Sequence, residues 1–225
     1  MYNGELNKKL NDNSAIVGIV GLGYVGLPLS IAFCSKNIKV IGFDTDKSKI
    51  ALLQEGKSYI NHINSSEIKS IVSKKIFTCS SDWKLIDKCD AVIICLPSPL
   101  GKNREPDISI IKEALNKISP HIRRGQIISL ESTTYPGTTE EEVLPLATKN
   151  NLKCGKDIHI VYSPEREDPA NKDFSTSSIP KVVSGITESC LSAAIDLYSK
   201  VIQSVIPVSS CKVAELSKLL ENIHR

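Results

Sequence analysis

The amino-acid sequence predicts an α/β fold in which a doubly wound, mostly parallel sheet is covered by helices on both faces. Short apolar runs of strand length alternate with amphipathic segments of helical period along the chain. The runs are continuously apolar, which is typical of parallel strands that are buried on both faces. The chain has 225 residues, of which 41% are hydrophobic. This is enough for one large domain, or for one domain and part of another.

The predicted strands and helices follow one another in regular alternation. The strand candidates, in chain order, are AIVGIV, KVIGFD, KIFTC, AVIICLP, QIISLE, IHIVYS, KVVSG and SVIPVS. The helical patterns between them cover residues 27–35, 47–54, 67–73, 82–89, 108–118, 138–149 and 188–200. A last helical pattern begins at Cys211 and continues to the final residue. Strands separated by helices in this way predict βαβ units.

Charge and cysteine usage exclude several classes of protein. The net charge is only +3, and Lys and Arg are interspersed with Asp and Glu, so we expect neither a nucleic-acid nor a membrane partner. The first fourteen residues are polar and lack the apolar core of a secretory signal, so we expect a cytoplasmic protein. Seven cysteines without any CxxC pair argue against a disulfide framework and against a zinc site.

A glycine-rich turn follows the first predicted strand. The letters GLGYVG place Gly21, Gly23 and Gly26 between a strand and a helix, which is the GxGxxG arrangement of Rossmann-type dinucleotide binding. The first glycine allows the tight turn, the second lets backbone approach a pyrophosphate, and the third lets helix and strand pack closely. We predict that the whole turn binds the cofactor, namely Gly21, Leu22, Gly23, Tyr24, Val25 and Gly26.

The end of the second strand favours NAD over NADP. Asp44 follows the last glycine of the turn at about the spacing expected for a carboxylate that binds the ribose hydroxyls. Such a carboxylate also repels a 2′-phosphate. Three alternatives stay open: the glycines form an ordinary turn, Asp44 caps the helix that begins near Asp46, or Lys49 in that helix neutralises a phosphate. We include Lys49 among the candidate cofactor-binding residues.

Five motifs occur together in a characteristic order. They are GLGYVGLPLS, CLPSPLGKNREPD, ESTTYPGTTEEEVLP, VYSPEREDPANKDF and AELSKLLEN. In order and spacing the chain resembles the nucleotide sugar dehydrogenases of the UDP-glucose/GDP-mannose family, from Ala15 onward. The letters GKSYINHI, ESTTYPGTT and SPEREDP resemble the UDP-N-acetylglucosamine 6-dehydrogenase and UDP-N-acetylmannosamine dehydrogenase branches. Dehydrogenases of the 3-hydroxyacyl or 6-phosphogluconate type share the glycine turn but do not account for the later motifs.

The resemblance implies two successive NAD-dependent oxidations at C6 of a UDP-sugar, with a cysteine thiolate capturing the intermediate aldehyde. It implies that Thr133 contacts the nicotinamide end and helps to position a water, and that Ser98 bonds the cofactor. Glu165 would handle a proton or orient the substrate. Lys218 and Asn222, four residues apart in a helix, would face the reacting oxygen of the sugar.

Two departures from the family pattern limit what can be carried over. The position four residues beyond Glu165, where the family has a second acidic residue, is Pro169. The family's nucleophile lies in a GGxC segment beyond the AELSKLLEN helix, and none of the seven cysteines has that setting. Cys211 comes closest along the sequence, but we expect it, like the other cysteines, to be an ordinary thiol.

We therefore expect three parts in the chain. Residues 1–14 form a polar N-terminal segment, residues 15–210 form the NAD-binding domain, and residues 211–225 begin a connecting helix that builds a homodimer in the family. The substrate domain that would follow this helix is expected to be absent. Two hypotheses stay open: the N-terminal portion of a UDP-sugar 6-dehydrogenase, or an inactive or regulatory NAD-binding module.

Overall fold

A sheet of eight strands is at the centre of the computed structural model, which describes residues 2–99, 101, 106–165 and 179–223. The side chains of residues 2, 3 and 222 are outside this description. The strands are β1 (Ile16–Val20), β2 (Lys39–Phe43), β3 (Phe77–Ser80), β4 (Ala91–Ile94), β5 (Ile127–Leu130), β6 (His159–Tyr162), β7 (Lys181–Gly185) and β8 (Val205–Pro207).

Helices connect most of these strands. They are α1 (Tyr2–Asn11), α2 (Gly26–Ser35), α3 (Lys47–Gln54), α4 (Ser65–Ser73), α5 (Ser109–Ile118), α6 (Leu144–Ala147), α7 (Glu188–Tyr198) and α8 (Cys211–Ile223), with short 3₁₀ turns at Trp83–Lys88 and Ser119–His121. In the described part of the chain, we find no helix that combines the length and the apolar character needed to cross a membrane.

The strand order is β3-β2-β1-β4-β5-β6-β7-β8, and only the β6 and β7 pair is antiparallel among the pairs described. This confirms the predicted α/β, Rossmann-type doubly wound fold. The order reverses between β1 and β4, and in such sheets ligands bind at the carboxyl ends of the strands beside that reversal. The register aligns those ends in one row, formed by Ser80, Phe43, Val20, Ile94, Leu130 and Tyr162. The residues that follow this row therefore share one edge of the sheet.

The sheet is buried on both faces, as continuous apolar strands predict. In β4, Ala91 and Ile93 belong to one apolar cluster, whereas Val92 and Ile94 belong to another. Because successive side chains of a strand point to opposite faces, the two clusters are the two layers of core. The helix α2 packs in the first layer, and α5 packs in the second.

The N-terminal segment is more ordered than its polar sequence indicates. Residues 1–14 are predicted only as a polar segment, but most of them form α1, in which Leu6 and Leu10 are buried. Asn7 of this helix donates to Asp196 of α7 at 3.1 Å. Two leucines in a polar stretch give too weak a period to predict the helix.

The predicted helix at 138–149 is distorted. It begins as one π-helical turn, Thr139–Val143, and only then continues as α6. Pro145 has no N–H for the carbonyl of residue 141, so the α-helical ladder is interrupted there. The N–H of Leu144 bonds the carbonyl of Thr139 instead. The predicted helix at 82–89 also differs from a regular α-helix, because it forms the 3₁₀ turn Trp83–Lys88.

Candidate functional site

The glycine turn after β1 is fixed by very close backbone packing. Gly21 has a φ of +93°, and a Cβ there would lie 2.6 Å from the carbonyl oxygen of Cys95. Its N–H donates to the carbonyl of Phe43 at 2.8 Å. A Cβ at Gly26 would lie 1.8 Å from the carbonyl oxygen of Gly21. Only glycine at these two positions lets the turn fit between the ends of β2 and β4.

Gly23 differs from the other two glycines because open space surrounds it. A Cβ built there would meet no atom within 4 Å, so the fold itself does not require glycine. The helix α2 begins directly afterwards, and its N-cap residue Val25 provides no capping side chain. An uncapped helix start beside bare backbone fits a pyrophosphate group.

Asp44 lies directly beside this turn. Its Oδ2 accepts the N–H of Leu22 at 3.0 Å, and its Oδ1 accepts the N–H of Asp46 at 2.9 Å. The helix α3 is capped by Asp46, whose carboxylate accepts the N–H groups of Ser48 and Lys49. The alternative in which Asp44 caps this helix is therefore wrong. Each Asp44 oxygen accepts one backbone N–H and has further lone pairs for ribose hydroxyls.

The segment between α3 and α4 covers the glycine turn. Sequence reasoning did not predict this contact. The hydroxyl of Tyr59 donates to the carbonyl of Leu22. The Lys49 ammonium lies 5.7 Å from the centroid of the Tyr59 ring. Lys49 therefore lies beside the segment that covers the glycine turn. The exposed ring of Tyr24 stacks on His62, with centroids 6.1 Å apart. Tyr59 and His62 both lie in the motif GKSYINHI, which was the available signal.

Ser98 and Thr133 follow neighbouring strands at the same edge. The hydroxyl of Ser132 donates to the carbonyl of Leu96 at 2.6 Å, which joins the loop after β4 to the loop after β5. The Tyr162 hydroxyl donates to the carbonyl of Ser132 at 3.1 Å. Ser98 and Thr133 are both half-buried. The two loops that carry them are therefore tied together.

Glu165 belongs to a buried network of charged groups. The Lys181 ammonium contacts Glu165 at 2.9 Å and Glu131 at 3.1 Å. The Tyr198 hydroxyl donates to Glu131 at 2.6 Å and lies 2.8 Å from the Ser129 hydroxyl. The side chain of Glu131 is fully buried, and those of Lys181 and Glu165 are 5% and 13% exposed. Since Glu131 is two residues before Thr133, the network connects two candidate site residues.

Burial dominates the electrostatics of this network. It raises the pKa of Glu131 to about 7, although the Lys181 ammonium opposes this increase. Burial alone would lower the pKa of Lys181, but the carboxylates of Glu131 and Glu165 outweigh it and raise that pKa. Burial and the Glu131 carboxylate also raise the pKa of the Tyr198 hydroxyl. Glu131 therefore changes its protonation near neutral pH while Lys181 stays charged.

Glu215 anchors the last helix to the site. Its carboxylate accepts the N–H of Gly137 at 2.5 Å, and the N–H and hydroxyl of Thr139 at 2.9 and 2.7 Å. Burial raises the pKa of Glu215. Lys218 is one turn further along α8 and is only 8% exposed. The backbone of Asn222 is in α8, and its side chain is outside the described residues.

The other positions that the sequence singled out are Pro169 and Cys211. Pro169 lies outside the described residues. Cys211 is buried at the start of α8, and burial raises its pKa to about 12, so it is no thiolate nucleophile. Among the described residues, no group of His, Cys, Asp and Glu side chains could hold a metal ion. Sequence reasoning missed Glu131, Lys181, Tyr198 and Glu215, because their significance comes from contacts between distant segments.

The raised pKa of Glu131 predicts a pH dependence of stability. Between the ordinary carboxyl pKa of 4.5 and about 7, the folded chain binds one more proton than the unfolded chain, so this group lowers the free energy of unfolding as the pH rises. In Glu131→Gln this contribution is absent. We expect the stability profiles of the two proteins to differ in slope by up to about 1.4 kcal/mol per pH unit in that window.

Urea unfolding between pH 4.5 and pH 8 measures this difference. The control is Glu55→Gln, which removes an exposed carboxylate and should leave the slope as in the wild type. Parallel profiles for the wild type and Glu131→Gln would contradict the prediction.

Comparison with known proteins now adds to the geometry. Residues 15–202 match the NAD-binding domain of the UDP-glucose/GDP-mannose dehydrogenase family. Over 211 residues, the chain is 39% identical to Protein CapL of Staphylococcus aureus and 37% identical to the UDP-N-acetyl-D-glucosamine 6-dehydrogenase of Pseudomonas aeruginosa. Each alignment covers 93% of this chain and 49% of the relative. The chain thus spans about half the length of the curated relatives it matches.

A solved structure agrees with this assignment. The UDP-N-acetyl-mannosamine dehydrogenase Cap5O from Staphylococcus aureus has a TM-score of 0.86 and 31% identity, covering 94% of this chain and 51% of that one. The glycine turn, Asp44 and the strand order are those that a dinucleotide-binding domain needs. The chain therefore belongs to the UDP-glucose/GDP-mannose dehydrogenase family and carries the NAD-binding domain of that family.

Proposed function

We propose that this chain forms the cofactor-binding half of an enzyme that oxidises the C6 hydroxyl of a UDP-N-acetylhexosamine to the uronic acid. The names of the relatives supply the substrate class. The observation that carries the proposal is the shared edge of the sheet. It joins the open backbone at Gly23, the Asp44 carboxylate, and the loops of Ser98 and Thr133.

The residues at this edge fit NAD. The turn from Gly21 to Gly26 would hold the pyrophosphate, since Gly23 leaves space for it. Asp44 would bind the ribose hydroxyls, and Ser98 and Thr133 would bond the cofactor further along the edge. When bound, NAD supplies a hydride acceptor for the alcohol and then for the aldehyde.

The catalytic roles proposed here follow from burial and charge. The Lys181 ammonium pairs with Glu165 at 2.9 Å, and Glu165 would orient a water or accept a proton from the substrate. Thr133 helps to position that water. Lys218 and Asn222 would stabilise negative charge on the reacting oxygen of the sugar. The buried position of Lys218 beside the Glu215 anchor supports this arrangement.

A second candidate function is an NAD-binding module without dehydrogenase activity of its own. The cysteines favour it, because capture of the aldehyde needs an accessible thiolate. Of the seven, only Cys154 is partly exposed, and it lies in the turn before β6 rather than at the cofactor edge.

We propose that the chain divides into an N-terminal segment, an NAD-binding domain and the start of a connecting helix. These parts comprise residues 1–14, 15–210 and 211–225. We also propose that the protein is cytoplasmic.

We also propose that α8 pairs with a second copy of the chain. Its exposed apolar side chains are Val213, Leu216, Leu220 and Ile223. Their spacing of three, four and three residues forms one stripe along the helix, which is typical of a helix-pairing seam. This surface is separate from the buried side that holds Glu215.

The first prediction of the proposed function concerns cofactor preference. We expect the chain to bind NAD at least roughly tenfold more tightly than NADP, because the Asp44 carboxylate repels a 2′-phosphate. In Asp44→Asn that repulsion is removed while an oxygen for the Leu22 N–H is kept, so the preference should shrink. Calorimetric titration with both cofactors measures it. Equal or stronger NADP binding by the wild type would exclude the role given to Asp44.

Two further variants serve as controls. Asp46→Asn removes a charge two residues away and keeps an N-cap for α3, so the preference should stay. Gly23→Val should fold normally, because open space surrounds this position, but it should bind neither cofactor. Normal NAD binding by a folded Gly23→Val would contradict the pyrophosphate site.

The second prediction separates the two candidate functions. The purified chain, incubated with NAD and UDP-N-acetylglucosamine, UDP-N-acetylmannosamine or UDP-glucose, should produce negligible NADH. A fusion in which this chain replaces the matching half of the Pseudomonas aeruginosa relative should produce NADH from UDP-N-acetylglucosamine. In that fusion, Glu165→Gln should lower kcat by roughly 10²-fold.

The outcomes are distinct. A folded fusion that binds NAD but makes no NADH would favour the module without activity. Sustained NADH production by the chain alone, lost when a single cysteine is replaced, would show that one of the seven thiols is a nucleophile after all.

The third prediction concerns assembly. Replacing both Leu216 and Leu220 by Glu should convert a dimer to a monomer, because charge would enter the proposed seam. Sedimentation velocity measures the change. Replacing the exposed Lys84 by Glu is the control and should leave the dimer intact. A wild-type chain that is monomeric at high concentration would exclude pairing through α8.

A further inference from the structure

Two cysteines that are distant in sequence lie side by side in the fold. The sulfur of Cys154, in the turn before β6, is 3.6 Å from the sulfur of Cys190, in the first turn of α7. Cys154 is partly exposed, whereas Cys190 is fully buried. The pair lies on the amino-terminal side of β6, away from the carboxyl-end edge that holds the candidate site.

Several donors converge on the buried sulfur of Cys190. The N–H of Ile160 lies 3.4 Å from it and the Thr187 hydroxyl lies 3.2 Å from it. Thr187 is also the N-cap of α7, so the sulfur is in the first turn of an eleven-residue helix, where negative charge is favoured. A sulfur surrounded by donors at a helix start is the setting of a thiolate.

The pKa values agree with this geometry. The hydrogen bond with the Cys154 thiol lowers the pKa of Cys190 against the effect of burial, and His159 and Thr187 contribute to the same decrease. The same hydrogen bond raises the pKa of Cys154. Both shifts favour the negative charge on Cys190 and the proton on Cys154.

We propose that Cys154 and Cys190 form a reactive dithiol which a hydroperoxide converts into a disulfide within the chain. Cys154 meets the oxidant because it is the partly exposed member. Cys154 first passes its proton to the adjacent Cys190 thiolate, 3.6 Å away, and the Cys154 thiolate so formed attacks a peroxide oxygen. The O–O bond breaks, Cys154 becomes a sulfenic acid, and the leaving hydroxide takes the proton back from Cys190 to give water. The Cys190 thiolate then attacks the Cys154 sulfur and displaces hydroxide, which becomes the second water with the proton that Cys190 had released to solvent on ionising. Two thiols and one hydrogen peroxide give one disulfide and two waters.

Burial dominates the electrostatics of four of the other five cysteines. Burial raises the pKa of Cys34, Cys89 and Cys211 to about 12 and that of Cys79 to about 11. These four thiols keep their protons, and none of their described hydrogen bonds joins the sulfur to a second cysteine that could accept the proton, so they react slowly. Oxidation should therefore be selective for one pair.

The bond would close a loop of 36 sequence positions. That loop contains β6, Glu165, Lys181 and β7, so the disulfide would tie together the segment that carries the buried charge network. Closing a loop of this length restricts the unfolded chain. We expect the thermal midpoint of the oxidised chain to rise by roughly 5–10 °C.

Peptide mapping tests the proposal directly. The purified, reduced chain is treated with hydrogen peroxide, its remaining thiols are blocked, and the digest is analysed by mass spectrometry without reductant. We expect one linked pair of peptides containing Cys154 and Cys190, and a decrease from the seven thiols of the sequence to five, reversed by dithiothreitol. Seven unreacted thiols, a link to Cys211, or a midpoint that does not rise would overturn the proposal.

Matched variants complete the experiment. Cys154→Ser should form no link and show no rise in midpoint. In Cys190→Ser, the sulfenic acid of Cys154 should persist and be trapped by dimedone. Cys34→Ser replaces another buried cysteine and should still form the link. A link that survives in Cys154→Ser would overturn the assignment of the pair, and this variant stays informative if Cys190→Ser fails to fold.

Discussion

The close approach of the Gly21 carbonyl to Gly26 is the constraint on which the cofactor edge depends. With a Cβ at 1.8 Å excluded, α2 starts immediately above the end of β1. This position brings the N–H of Leu22 to Asp44 and the carbonyl of Leu22 to Tyr59. The Leu22 side chain in turn fills the space above Gly42, where a Cβ would lie 2.7 Å away. One backbone contact thus positions the turn, the carboxylate and the covering segment together.

The charge network around Lys181 depends on buried charged groups, whereas the glycine turn depends on close backbone packing. Burying two carboxylates and an ammonium is expensive, and a well-packed apolar cluster is often as stable. The network is nevertheless satisfied, since Lys181 contacts both carboxylates and Tyr198 donates to Glu131. Through the Lys181 ammonium, this arrangement restricts the position of Glu165 relative to Glu131, which lies two residues before Thr133. This restriction supports the catalytic role that we propose for Glu165, because a charged side chain fixed in place needs little reorganisation during a reaction.

The cysteines illustrate how position decides reactivity. From sequence, all seven look like ordinary thiols, and several of them lie within apolar strand or helix patterns. Four of them fit this expectation, because burial raises the pKa of each thiol: Cys34, Cys79, Cys89 and Cys211. Cys190 differs because the Thr187 hydroxyl, the Ile160 N–H and a second cysteine surround its sulfur. The expectation of seven unremarkable thiols therefore fits the residues whose neighbours are apolar, and Cys190 departs from it.

The sequence by itself determined the fold class, the glycine turn and the family. These features depend on local information: apolar period, glycines at fixed spacing, and ordered motifs within short segments. It did not reveal the helix α1, whose two buried leucines gain their meaning only from contact with the rest of the core. Tertiary structure alone decided that Asp46, rather than Asp44, caps α3, that Lys181 joins Glu131 to Glu165, and that Glu215 anchors α8. The reason is physical: each of these roles depends on hydrogen-bond partners, and all but the cap come from segments far apart in the chain that only the packed sheet brings together.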